Sequence, residues 1–205
     1  MSAQAIRSIS AQFIKSSTAE KDCPIADKPE YAFIGRSNVG KSSLINMLSA
    51  RNKLAKVSSR PGKTQLINHF LMDTNWYLVD LPGYGWAKVS KSDKTKWKAL
   101  VEDYLLNRPT LVSVFALIDI RHEPQKIDLE FLNWMGTQGI PFVLVFTKAD
   151  KLSRPKVDQH VNSYLRVLNE YWDELPAYFV TSSTSSMGRE EILDFIKNLN
   201  QTVRG

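Results

Sequence analysis

Residues 35–42 read Gly35-Arg36-Ser37-Asn38-Val39-Gly40-Lys41-Ser42. A short apolar run, Tyr31–Ile34, precedes them, and Lys41–Leu48 follows with helical character. The stretch matches G-x-x-x-x-G-K-[ST] between a strand and a helix, the setting in which that pattern builds a phosphate cradle. Its glycines let the backbone wrap closely around phosphate, while N–H groups and the helix N-terminus face the negative charge. Lys41 is placed to reach the β- and γ-phosphates and the Ser42 hydroxyl to ligate Mg²⁺. Gly35 through Ser43 are therefore read as nucleotide-binding residues.

Outward from this loop, strand and helix patterns alternate. Leu66–Met72 and Trp76–Leu81 read as strands joined by a turn at Asp73–Asn75. Ser92–Asn107 carries a helical stripe of Trp97, Leu100, Val101, Tyr104 and Leu105, with Ser92 as candidate N-cap. Leu111–Ile118 is a strongly apolar run, as a strand buried on both faces should be. Gln125–Met135 reads as a helix, Pro141–Phe146 as a strand, Lys156–Trp172 as a helix, Tyr178–Val180 as a strand and Arg189–Asn200 as a final helix. This alternation predicts an α/β fold with a mostly parallel central sheet and helices on both faces. Ligands of such sheets bind at the carboxyl ends of the strands, where the motifs lie. Ala11–Lys15 reads as a possible extra strand, and residues 1–28 as an N-terminal extension of a domain spanning 29–205.

Three further motifs follow in order. Asp80-Leu81-Pro82-Gly83 is a D-x-x-G after a hydrophobic strand; its aspartate holds Mg²⁺ through water and its glycine N–H meets the γ-phosphate. Thr147-Lys148-Ala149-Asp150 ends another strand. A carboxylate at Asp150 accepts both guanine N1–H and the 2-amino group, which adenine cannot offer. The aliphatic stem of Lys148 can pack on the base. Thr147 stands where the common pattern has asparagine. In Thr181-Ser182-Ser183 a small residue can bring a backbone N–H to guanine O6. Between the first two motifs lies Arg60-Pro61-Gly62-Lys63-Thr64; here Gly62 and Lys63 are read as nucleotide-binding and Thr64 as the second protein ligand of Mg²⁺, with Ser58 and Ser59 as competitors.

These motifs, with the blocks Arg60–Asn68, Asp80-Leu81-Pro82-Gly83-Tyr84-Gly85, Asp119-Ile120-Arg121-His122 and Thr147–Leu152, resemble the EngB (YihA, YsxC) family of bacterial GTPases. That family falls within the TrmE-Era-EngA-YihA-septin-like P-loop GTPases. The resemblance runs from about residue 31 to 196. It implies a Ras-like GTPase fold, GTP and GDP with Mg²⁺ as cofactors, and a role in assembling the large ribosomal subunit, with consequences for growth and division. It also favours Thr64 over the two serines, and Thr147 is usual there.

Many GTPases follow D-x-x-G with a glutamine that orients the attacking water. Here that position is Tyr84, so catalysis is assigned to Lys41 and Thr64, and intrinsic hydrolysis is expected to be slow. Asn38 is a candidate K⁺ ligand beside the phosphates, by analogy with related GTPases; the competing reading is a loop-stabilising side chain.

The chain has 205 residues and a net charge of +6. Its single cysteine, Cys23, excludes an internal disulfide. No stretch approaches the ~20 apolar residues of a membrane helix, and no secretory leader or lipidation motif is read. A cytoplasmic monomer acting away from membranes is the expectation. Lys88, Lys91, Lys94, Lys96 and Lys98, beside Tyr84 and Trp86, suggest a surface for nucleic-acid phosphates and bases; the competing reading is a solvated helix face. The three histidines lack metal-ligand spacing. A switch acting on a protein effector remains the alternative function.

Overall fold

The apolar runs become seven strands and the amphipathic stretches five helices in a computed structural model that describes residues 9–51, 54–55, 66–84 and 91–204, with only the backbone of Lys91, Asp93, Lys94 and Arg204. The strands are β1 (Ala11–Ser17), β2 (Glu30–Gly35), β3 (Ile67–Met72), β4 (Trp76–Asp80), β5 (Leu111–Asp119), β6 (Phe142–Thr147) and β7 (Tyr178–Val180). The helices are α1 (Lys41–Leu48), α2 (Lys91–Asn107), α3 (Lys126–Thr137), α4 (Arg154–Asn169) and α5 (Arg189–Arg204). The sheet order is β1-β3-β4-β2-β5-β6-β7. Only β3 runs against the others: it pairs antiparallel with both β1 and β4, while β2 pairs parallel with β4 and β5, β5 with β6, and β6 with β7.

Period-two alternation sends successive side chains of the buried strands to opposite faces. On one face Ala32, Ile34, Val114, Ala116 and Ile118 meet Val101, Tyr104 and Leu105 of α2, Leu132 and Met135 of α3, and Val157, Val161 and Leu168 of α4. On the other, Tyr31, Phe33, Phe115 and Leu117 meet Leu44, Ile45 and Leu48 of α1 and Ile192, Leu193 and Ile196 of α5. Phe33 and Phe115 stack at 4.6 Å between ring centres. Both are fully buried, and each such side chain stabilises the fold by about 1.5–3 kcal/mol.

The expected elements all appear, with shifted ends. The first turn of α2 includes Lys91, so Ser92 lies inside the helix and is not its cap. α4 begins at Arg154, with Ser153 as N-cap and a proline in the first turn; proline there loses no hydrogen bond because its missing N–H had no partner.

The predicted extra strand forms the sheet edge, and the segment after it is tied to the far end of α2. Buried Arg108 donates to Glu20 at 3.0 Å, to the Pro24 carbonyl at 2.6 Å and to Glu30 at 2.9 and 2.5 Å. Glu30, fully buried at the start of β2, also accepts from Tyr104 at 2.5 Å and Thr110 at 3.0 Å and faces His69 Nε2 at 3.2 Å. Burial alone would raise the Glu30 pKa. Hydrogen bonds from His69, Arg108 and Tyr104 outweigh it and hold the carboxyl at about 2. This network sits at the pole opposite the strand ends that carry the motifs. Cys23, beside it, is half-buried, and burial raises its thiol to about 11.

Candidate nucleotide-binding site

The carboxyl ends of β2, β4, β5, β6 and β7 lie along one edge of the sheet. After β2 the chain turns through Asn38 (φ 65°) and Gly40 (φ 105°) into α1, which Gly40 caps. Left-handed residues in a tight loop turn amides toward one centre and make an anion-binding concavity. Gly40 is needed because L side chains rarely adopt that φ. Lys41 opens α1, and its ammonium lies against Asp80 at the end of β4. Burial lowers the Lys41 pKa, to about 7; the adjacent carboxylate opposes that shift, and we read the contact as an ion pair. Asn68 Nδ2 donates to the other Asp80 oxygen at 3.4 Å.

Gly83 is fixed by close approach: a Cβ there would sit 2.6 Å from the Gly35 carbonyl oxygen. The next residue stitches the D-x-x-G segment to the phosphate loop. Tyr84 N–H donates to the Gly35 carbonyl at 3.1 Å, and Ser37 N–H donates to the Tyr84 carbonyl at 3.2 Å.

The Tyr84 side chain corrects the sequence reading. It is 4% exposed, with its ring 4.8 Å from Phe131 of α3 and 6.4 Å from Trp97 of α2. Trp97 in turn donates to the Pro82 carbonyl at 2.9 Å. Tyr84 therefore belongs to the core and offers no stacking face to nucleic acid. Its hydroxyl faces Asp128 without a well-formed hydrogen bond. Burial raises the pKa of both groups. Trp86, Lys88, Gly62, Lys63 and Thr64 lie outside the described residues. Of the lysines on α2, Lys96 and Lys98 are exposed, and Lys98 pairs with Glu102 at 3.6 Å.

At the end of β6, Thr147 is 4% exposed. Its hydroxyl donates to the Val39 carbonyl at 2.6 Å and lies 3.1 Å from the Ile118 carbonyl. The threonine thus ties the loop after β6 to the loop between β2 and α1. Lys148 takes a left-handed backbone (φ 63°, ψ 32°). Its ammonium donates to the Asn38 carbonyl at 2.5 Å and to Asp119 at 2.8 Å. Asp150 is exposed, and Lys151 and Ser182 hold its carboxyl below the usual range. Ser182 donates to it at 2.9 Å and Thr184 at 3.4 Å. The carboxylate is thereby set in place with an open edge.

In the 181–183 segment, the N–H groups of Thr181 and Ser182 go to the carbonyls of Phe146 and Met187, whereas Ser183 is exposed. Of the D-x-x-G residues, Leu81 is fully buried and its N–H goes to the Phe33 carbonyl, so it supports the site from the core. A cleft of about 150 Å³ opens beside the phosphate loop, lined among others by Arg36, Asn38, Asp119, Gln125, Asp128 and Lys148. Asp119 was not among the candidates drawn from the motifs. The only sequence signal for it was its place in the Asp119–His122 block. Among the described residues no group of His, Cys, Asp and Glu could by itself hold a metal ion. No helix there is long and apolar enough to cross a membrane.

Comparison with known proteins agrees with this geometry. A family model described as 50S ribosome-binding GTPase matches residues 30–148. The chain is 57% identical over 196 residues to a "Probable GTP-binding protein EngB" from Phocaeicola vulgatus, covering 96% of this chain and 98% of that one. It is 56% identical over 194 residues to the protein of the same name from Bacteroides thetaiotaomicron, covering 95% and 96%. Among solved structures, the fold is similar to a crystal structure of a probable GTP-binding protein engB (TM-score 0.67, 23% identity, 84% of this chain and 99% of that one). It is also similar to Era in complex with MgGDPNP and a 16S ribosomal RNA segment (TM-score 0.63, 21% identity, 82% and 55%).

Proposed function

Because the chain belongs to the EngB family of GTP-binding proteins, a family of GTPases, we propose that its nucleotide switch serves assembly of the large ribosomal subunit and, through it, growth and cell division. The observation that carries the reading is the convergence of the phosphate loop, Asp80 and the Thr147–Asp150 loop at one sheet edge, in a chain matched by a 50S ribosome-binding GTPase model. The net charge of +6 and the exposed Lys96 and Lys98 support an RNA-facing partner.

Each group has a defined task. The phosphate-loop amides and Lys41 bind the triphosphate. Asp150 accepts the two guanine donors, and the Lys148 stem lies along the base. The donors around Lys41 fit Mg²⁺, a hard cation that takes oxygen ligands and keeps waters: the Ser42 hydroxyl at the start of α1 and the Asp80 carboxylate, acting through water, with Thr64 as the second protein ligand. Bound there, the metal supplies charge neutralisation at the phosphates. Gly83, packed on the phosphate loop, is positioned to sense a γ-phosphate through its N–H, and that contact sets the conformation that follows it. Buried Tyr84 cannot orient water, so unassisted hydrolysis is slow. Asn38, exposed on the cleft rim, is proposed to help hold K⁺, which would offset charge developing on the phosphates.

The test is co-sedimentation with purified large subunits at two salt concentrations, in GDP and in a non-hydrolysable GTP analogue. Association should require the analogue and weaken steeply with salt through counterion release. Binding indifferent to both would favour the protein-effector alternative.

A further inference from the structure

Lys148 presents a physical puzzle. It is a long, flexible side chain on a left-handed backbone, yet its stem must lie flat if it is to form one wall of a base pocket. The structure shows how the stem is held. A Cβ built on Gly40 would meet Lys148 Cε at 3.6 Å, so the stem crosses directly over the phosphate loop. At its tip the ammonium has two fixed acceptors, the Asn38 carbonyl and Asp119 Oδ2. The side chain of Asp119 is only 12% exposed. It projects from the last residue of β5, directly opposite Thr147 in the β5–β6 register.

The carboxylate is itself clamped. Arg121 Nε donates to Oδ1 at 2.9 Å, Nη2 to Oδ2 at 2.7 Å, and the Arg121 backbone N–H to Oδ1 at 3.2 Å. A bidentate guanidinium fixes the plane of a carboxylate as well as its place. Burial works against the Asp119 charge, and the hydrogen bonds from Arg121 and Lys148 overcome it.

We infer that Asp119 is a positioning residue for guanine nucleotide binding: clamped by Arg121, it pins the Lys148 ammonium so that the lysine stem is already laid across the pocket before the base arrives. Ordering a rotamer-rich side chain in advance removes a cost that binding would otherwise carry. This inference rests on the reading of Thr147–Asp150 as the base-recognising loop.

The experiment uses the full chain and measures dissociation rates and affinities of fluorescent GDP and GTP, with the thermal midpoint of the free protein as a parallel readout. The variants are Asp119→Asn, Lys148→Met and the double substitution, with Arg121→Ala as a gentler release of the clamp that leaves Asp119 in place. Loss of one charge-assisted hydrogen bond should raise nucleotide release by about tenfold in Asp119→Asn. The double variant should be no worse than Lys148→Met alone, because both remove the same arrangement. Arg121→Ala should show a smaller loss that disappears in the Lys148→Met background. Should Asp119→Asn lower the thermal midpoint while nucleotide release stays within twofold, or should its loss multiply with that of Lys148→Met, the inference is overturned. If Lys148→Met leaves release unchanged, pinning the ammonium contributes nothing and this inference falls, whereas the base-loop reading falls only if Asp150→Asn also leaves GTP affinity unchanged. If only Asp119→Asn is silent, this inference alone falls.

Discussion

Replacing Thr147 by valine isolates one hydrogen bond that joins the two nucleotide loops. The substitution keeps the branched shape, so no cavity opens and the change is chemical. The Thr147 hydroxyl is buried, and it bonds the Val39 carbonyl at 2.6 Å with the Ile118 carbonyl at 3.1 Å. Valine removes the donor and leaves a desolvated carbonyl, which costs about 1–3 kcal/mol. In a domain of this size each kcal/mol lowers the melting temperature by about 2–4 °C, so the free protein should melt about 2–12 °C lower. Val39 belongs to the phosphate loop, so part of that loss should appear as a loop less ready for nucleotide, with GDP affinity down several-fold. Thermal melts with and without saturating GDP, together with a GDP titration, separate the two effects. A melting temperature within 1 °C of the unsubstituted protein and an unchanged GDP affinity would refute the view that this hydroxyl couples the loops.

Asp150→Asn should weaken GTP binding by roughly 100-fold, about 3 kcal/mol for the loss of charged acceptors, and shift preference toward xanthosine nucleotides; paired titrations decide it, and unchanged GTP affinity would sink the assignment. The Glu30 carboxyl, ordinarily near 4.5, is held at about 2 in the folded chain. A depressed folded value contributes stability above pH 4.5 that is lost as pH falls toward 2. Urea unfolding of Glu30→Gln should therefore show a deficit of about 3 kcal/mol at pH 7 that shrinks across that acid window. Thr64→Ala should weaken GTP binding more than GDP binding, because a switch threonine meets the metal only when the γ-phosphate orders its loop; equal loss for both would point to Ser58 or Ser59. Hydrolysis should run faster in K⁺ than in Na⁺ at equal ionic strength, and Asn38→Ala should remove the difference; equal rates in the two salts leave Asn38 with a structural role.

Patterns that repeat over a few residues are legible in the sequence by itself. The continuous apolar run of β5, the helical stripe of α2, and the Gly40-Lys41-Ser42 turn into α1 all follow from local spacing, because apolar runs, helix periodicity and loop geometry are short-range properties. The motifs likewise marked Lys41, Asp80 and Asp150 as candidates near strand ends, because a sequence motif is itself a short-range pattern. Helix ends were less legible. Ser92 looked like a cap although the helix begins before it, and Arg154-Pro155 opens α4 where the apolar stripe alone suggested Lys156.

What tertiary structure alone decided was which side chains meet across the chain. Nothing local to Tyr84 says that its ring is buried between α2 and α3, because the partners Trp97 and Phe131 come from other elements. Glu30 and Arg108 are 78 residues apart, and Asp119 and Lys148 are 29 apart. Each pair meets because β2, β5 and β6 are neighbours in the sheet and because α2 returns its last turn to the start of β2. A charged side chain carries no mark of its eventual partner. Sheet order and register bring Glu30 and Arg108 together in the buried interior, where leaving either one alone would cost several kcal/mol, and bring Asp119 and Lys148 together at the partly exposed strand ends.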